Sequence, residues 1–233
     1  MFQYNHHNNV TTTTNQFPPF FNVYRDGWGS KRYLLGPQSS KSAALYAVSL
    51  HSALSSQPSI VLHAGPTTSS PSLAGAKMGT FGRKTVVSLP PSPGPSWTSS
   101  EEEAHWNRGA GLYSHHPLIF SIEVRSSDGQ LRREEFEWRR SSGDVVAALG
   151  GRSVGYKLVR CTSVGTMGPT SSDGKEIVAV WALHGIRLHQ GFRFQFLGSG
   201  VDGALGERWS TMAVMTALYM WCYLRRASGN AAI

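Results

Sequence analysis

The chain has 233 residues, 40% of them hydrophobic and 11% aromatic, which is enough for a core that needs no covalent staple. It carries 22 Lys+Arg against 14 Asp+Glu, a formal charge of +8, yet charged residues make up only 15% of it. These proportions exclude a wholly disordered, collagen-like or polytopic membrane protein, and with only two cysteines, Cys161 and Cys222, a disulfide scaffold is excluded too.

The first stretch, Met1–Phe17, is rich in Asn and Thr and lacks a basic segment followed by an apolar one. It is therefore expected to be a loose arm (residues 1–19) and not a secretory signal, which points to an intracellular, cytoplasmic protein with peripheral membrane association open. From Phe20 the pattern is strand-like, with runs at Phe20–Tyr24, Lys31–Leu35, Ala43–His51 and Ser59–His63. Asp26-Gly27 between the first two is a hairpin signal, because Gly tolerates positive φ. Gly65–Ala76 reads as a Ser/Thr/Pro/Gly loop, and Lys77–Leu89 returns to a strand pattern. Pro90–Gly111 has no periodicity and reads as a Pro/Ser-rich insertion within one domain spanning 20–227, followed by a tail at 228–233.

The later half alternates more clearly. Leu118, Phe120, Ile122 and Val124 fall on one phase, as do Phe136 and Trp138, and as do Phe192, Phe194 and Phe196. Tyr156–Cys161 and Lys175–Leu183 continue the habit. Period-two alternation marks strands with one buried face, and about ten of them with turns between argue an antiparallel sandwich or barrel. Trp209–Leu224 then runs for sixteen residues without a charge, between Glu207-Arg208 and Arg225-Arg226, and reads as a helix apolar all round. At about 1.5 Å per residue it reaches roughly 24 Å, short of a hydrocarbon core of roughly 30 Å. Burial is favoured, with Trp209, Met212, Met215, Leu218 and Trp221 as plug residues; a tail anchor flanked by arginines is the alternative. Barrels of more than about eight strands enclose more volume than their own side chains fill, so a helix after the last strand is a natural plug.

Many antiparallel strands followed by a hydrophobic C-terminal helix, with Phe136–Arg140 (FEWRR), Tyr156–Arg160 (YKLVR), Asp173–Ala182 (DGKEIVAVWA) and Phe194–Leu218, resemble the tubby C-terminal domain and its LURP-one-like and scramblase-like relatives, most of all uncharacterised fungal tubby-like proteins. The resemblance implies a mainly β fold, a closed antiparallel barrel of about ten to twelve strands around a central helix. It also implies a binding module and not an enzyme, because members proper bind phosphoinositides through Lys/Arg on the barrel wall. The signature stretches of tubby proper are absent, so no lipid-binding residue is carried over.

Catalytic motifs lack their contexts. Gly198–Gly203 fits G-x-G-x-x-G, but no strand follows to carry the acidic partner of a dinucleotide site. Gly151–Gly155 fits G-x-S-x-G around Ser153, with Asp173 and His189 in hydrolase order, but a strand follows where the elbow needs a helix, leaving a Ser hydrolase as a remote alternative. The histidine pairs lack metal-ligand spacing, so neither metal nor cofactor is expected. The remaining signal is basic: Lys31, Arg32, Arg132, Arg133, Arg139 and Arg140 sit at strand ends or on polar faces and are candidate contacts for anionic lipid headgroups or a protein. Specific nucleic-acid binding is not expected, since the aromatics fall on the inward phase.

Overall fold

A computed structural model describes residues 16–27, 30–52, 55–79, 84–91, 100–107, 116–125, 130–152, 154–162, 168–183 and 191–227. Its strands are β1 (Phe20–Arg25), β2 (Arg32–Gly36), β3 (Tyr46–Leu50), β4 (Ile60–His63), β5 (Ser72–Met78), β6 (Lys84–Ser88), β7 (Glu101–Trp106), β8 (Leu118–Arg125), β9 (Leu131–Ser141), β10 (Gly155–Arg160), β11 (Ile177–Leu183) and β12 (Gly191–Phe196). A single helical turn, α1 (Asp144–Ala147), lies between β9 and β10, and the long helix α2 (Glu207–Ala227) follows β12. Each strand pairs antiparallel with its neighbours in sequence, and β1 pairs with β12, so the meander closes into a barrel without a free edge.

The alternation in sequence is the alternation of the wall. In β8, Leu118, Phe120, Ile122 and Val124 are buried while the residues between them are partly exposed. In β12, Phe192, Phe194 and Phe196 point inward and Phe194 stacks on Phe21 of β1 across the closing seam, with ring centroids 4.7 Å apart. The seam demands a glycine at its corner: Gly191 has φ +113°, and a Cβ there would meet the Val23 carbonyl oxygen at 1.8 Å. A smaller second core lies outside the wall, where Val146 and Leu149, of α1 and the turn after it, cover Ile177, Val180 and Ala182 of β11.

The helix fills the barrel. Every residue from Trp209 to Cys222 is buried. Its aromatics meet strands around the wall: Trp209 packs on Phe136 and Phe196, Trp221 on Tyr33 and Phe192, and Tyr219 on Trp106. Met212, Met215 and Leu218 are fully enclosed, as the plug reading expects. Its hydroxyls are satisfied within the helix, because Ser210 and Thr211 donate to the Glu207 carbonyl and Thr216 donates to that of Met212. Thr216 also accepts from the Trp138 indole at 2.9 Å, which pins β9 to the middle of the helix. No helix among the described residues is long and apolar enough to cross a membrane.

Three expectations change. Residues read as a loop over 65–76 include β5 from Ser72, whose small inward-facing Ala74 and Ala76 let α2 come close, while Gly75 between them gives room to Pro58 outside. The insertion is shorter than 90–111, because Glu101–Trp106 is a wall strand with Glu102, Ala104 and Trp106 buried. The arm is tied down before residue 19: Phe17 is buried against Phe21 and Tyr46, and the Tyr46 hydroxyl donates to the Gln16 carbonyl.

Candidate functional site

The barrel has a proximal end, where α2 starts beside Phe196, and a distal end, where it finishes beside Tyr33 and Phe192. Strand register assigns each charged residue to one end or to the wall between. The basic residues singled out in the sequence do not converge on one patch. Lys31 and Arg32 lie at the distal start of β2, and β1, β12, β11 and β10 separate them from β9. Arg132 and Arg140 lie at opposite ends of β9, a separation of about 26 Å along an extended strand.

Most of the wall arginines are already held. Arg133 reaches over β8, donating to the Ser121 carbonyl, to Glu123 at 2.7 Å and to Glu102 of β7. It bridges a place where the β7–β8 ladder has stopped, since that pairing runs only from Ala104↔Phe120 to Trp106↔Leu118. Arg139 is paired with Glu137 at 2.6 Å and Asp173 at 2.9 Å. Its partners hold the guanidinium charged against burial, and the same contact keeps the Asp173 carboxyl below its ordinary range. Arg32 shares the nearly buried Asp26 carboxylate with Lys41, at 3.2 and 2.6 Å.

The proximal end concentrates carboxylates. Glu134 takes both Arg160 donors at 2.6 and 2.7 Å and the Thr162 hydroxyl, and the Arg160 contact pulls its carboxyl below the ordinary value. Glu176 accepts from the backbone N–H and hydroxyl of Ser199. The G-x-G-x-x-G stretch is thereby explained as a turn into the helix: Gly198 has φ +48°, and a Cβ there would strike the Glu176 carboxylate at 2.4 Å. Glu102, only 2% exposed, also takes Arg208 of α2, which donates in addition to the Pro90 carbonyl.

The distal end concentrates cations around the emerging helix. Arg225 lies 4.8 Å from the Trp221 ring and 5.4 Å from that of Tyr33, and Arg226 follows it. Arg25, opposite Tyr33, with Lys31, Arg32 and Arg140, places further positive charge on the same rim. Tyr223 and Leu224 are only partly buried there, and Trp106 packs on the Tyr223 ring. Arg25, Arg225 and Arg226 are site residues that period-two reasoning passes over, because they read as a strand end and a helix terminus until the barrel brings them to one mouth.

Ser153 lies outside the described residues, as do His6, His7, His115, His184 and His189. Among the described residues no group of His, Cys, Asp or Glu has a metal-binding arrangement. A Ser–His pair does occur elsewhere, on the outer face: Ser49 Oγ lies 2.9 Å from His63 Nε2, and His63 Nδ1 lies 3.0 Å from the Ser70 carbonyl oxygen. No protein-family model, curated protein or solved structure matches the chain.

Proposed function

We propose that the protein is a barrel module that docks on anionic, phosphate-bearing membrane surfaces through its distal rim. The carrying observation is the ring of Arg25, Lys31, Arg140, Arg225 and Arg226 about the partly exposed Tyr223 and Leu224 at the end of the helix; Arg32, on the same rim, is held by Asp26. Cations that border aromatic and aliphatic side chains suit an interface where one part contacts headgroups and the other the acyl boundary. Wall arginines locked to Glu123, Glu137 and Asp173 do not suit it, so the docking face moves from the wall to the mouth. The resemblance to tubby-like barrels supports binding and not catalysis as the work of this face. The helix is committed to the core, which favours peripheral contact over anchoring by that segment.

The test is co-sedimentation of the full chain with phosphatidylcholine vesicles, with and without phosphatidylserine or a phosphoinositide. Binding to the anionic vesicles alone, lost on raising salt, is expected. Lys31→Ala, Arg140→Ala and Arg226→Ala together remove about 3 kcal/mol, roughly a hundredfold, at about 1 kcal/mol per basic group near the surface. No binding to anionic vesicles at low salt overturns the reading and leaves an acidic protein as the partner to seek.

A further inference from the structure

A second site lies on the outer wall, under the chain segments that cross β2, β3 and β4. Register sets its floor. Arg32 stands directly opposite Ser49, and Leu34 opposite Ala47, which in turn stands opposite His63 on the next strand. These residues share the outward phase, because Tyr33, Val48 and Leu62 between them belong to the inner core. Ser49 and His63 are thus diagonal neighbours, two rows of one face meeting across the small Ala47. Lys41 approaches from the β2–β3 connection, and Pro66, Thr67 and Thr68 from the β4–β5 connection, to wall a concavity over Arg32, Leu34 and Ala47; Ser49 and His63 do not line it but adjoin it, as the cross-strand neighbours of Arg32 and Ala47.

From this geometry we propose that Ser49 is an activated nucleophile for acyl transfer from small esters that carry a negative charge. The Ser70 carbonyl can only accept, so in the neutral imidazole the proton sits on Nδ1 and the Nε2 lone pair faces the Ser49 hydroxyl. That is a nucleophile bonded to a base that is oriented by a third group. Asp26, itself nearly buried, holds the Arg32 and Lys41 cations in the lining of the concavity, and two cations against one carboxylate there suit a substrate with negative charge. Both Ser49 and His63 are 9% exposed, which limits the substrate to a small one.

The step balances on these groups. Ser49 Oγ attacks the ester carbonyl carbon, its proton passes to His63 Nε2, and the carbonyl π pair moves onto oxygen as the oxyanion. The tetrahedral species collapses by breaking the bond to the leaving alkoxide, which takes the proton back from Nε2. Water, deprotonated by the same nitrogen, then cleaves the acyl-serine, releasing the acid and restoring the hydroxyl. This departs from the non-enzymatic expectation and uses a serine remote from the Gly151–Gly155 motif. It stands independently of vesicle binding.

The test treats the folded full-length protein with a fluorophosphonate and maps the modified peptide by mass. An adduct on Ser49, lost in His63→Gln at unchanged thermal melting, is expected; no adduct on Ser49, or one that survives His63→Gln, overturns the proposal. A second variant, Ser49→Cys, reads the base directly through iodoacetamide alkylation at mildly acidic pH. The natural cysteines stay quiet there, since burial pushes the Cys161 thiol up to about 11 and that of Cys222 to about 12. Alkylation about tenfold faster than in Ser49→Cys/His63→Gln is expected from an imidazole-paired thiol; equal rates overturn the assignment.

Discussion

At the proximal end, Glu102, Glu134 and Glu176 are at most 9% exposed, and each lies against an arginine or a hydroxyl inside the wall. At the distal end, Arg225 rests on two aromatic rings while Lys31 and Arg140 stand at the lip. The difference follows from solvation. A buried carboxylate must be paired, because an uncompensated charge away from water costs several kcal/mol, whereas a cation in water needs no partner. One end therefore spends its charge on holding the helix and the turn after β12 in place. The other gathers its charge at the mouth, around Tyr223 and Leu224.

That contrast can be broken in graded ways. Ending the chain at Gly206 removes α2 and empties the barrel of Trp209, Met212, Met215, Leu218 and Trp221; the product is expected to aggregate and show no cooperative melt, by scanning calorimetry. A folded, monomeric remainder would instead mark the helix as an accessory. Glu102→Ala leaves Arg208, 11% exposed, without its carboxylate and is expected to cost about 3 kcal/mol in denaturant unfolding. Thr216→Val strands the buried Trp138 indole N–H and is expected to cost about 1–3 kcal/mol by the same measurement.

Acid sharpens the comparison. Arg160 holds the Glu134 carboxyl below its ordinary value of 4.5, so the pair contributes stability that is complete above that pH and is lost as pH falls through the lower folded value. Glu134→Gln should flatten the decline in thermal midpoint on the acid side and leave its slope above neutrality unchanged. Smallest of all, Lys31→Ala, Arg140→Ala and Arg226→Ala are each expected to change stability by less than about 0.5 kcal/mol, although together they are expected to weaken vesicle binding roughly a hundredfold.

Much of the fold could be read from the chain, for reasons that differ between elements. β8 and β12 declare themselves because one face is dry and the other wet, so period two survives in the sequence. The helix declares itself by lacking charge, though its structure extends to Glu207 and Ala227 because the flanking Arg208 and Arg225 still reach partners or rings at the barrel mouths. β7 hides because Glu102, on the buried phase, is as acidic as its exposed neighbours, and only the arginines of two other elements make that burial tolerable. β5 hides because its inward residues, Ala74 and Ala76, are too small to declare a buried face until a helix is packed against them. The sites were less legible. Arg133 and Arg139 look like free surface cations until β7, β8 and the loop carrying Asp173 bring carboxylates to them. The Ser49–His63 pair joins residues on adjacent strands that only the β3–β4 register places together.

The order of elements along the chain has a consequence for how the protein is made. The barrel closes only when β12 finds β1, and its interior is filled only by α2, which is translated after every strand. Until then the nascent meander shows a dry inner face, with Phe120, Phe136, Trp138 and Trp181 lacking the helix they will enclose. Closure pairs β1 with β12 across the whole length of the barrel domain, the most expensive kind of contact in loop entropy, so folding is expected to be slow. A cell producing this protein must shield a half-finished cylinder until α2 arrives, and the yield of folded barrel should depend more on chaperone supply than on the stability of the finished molecule.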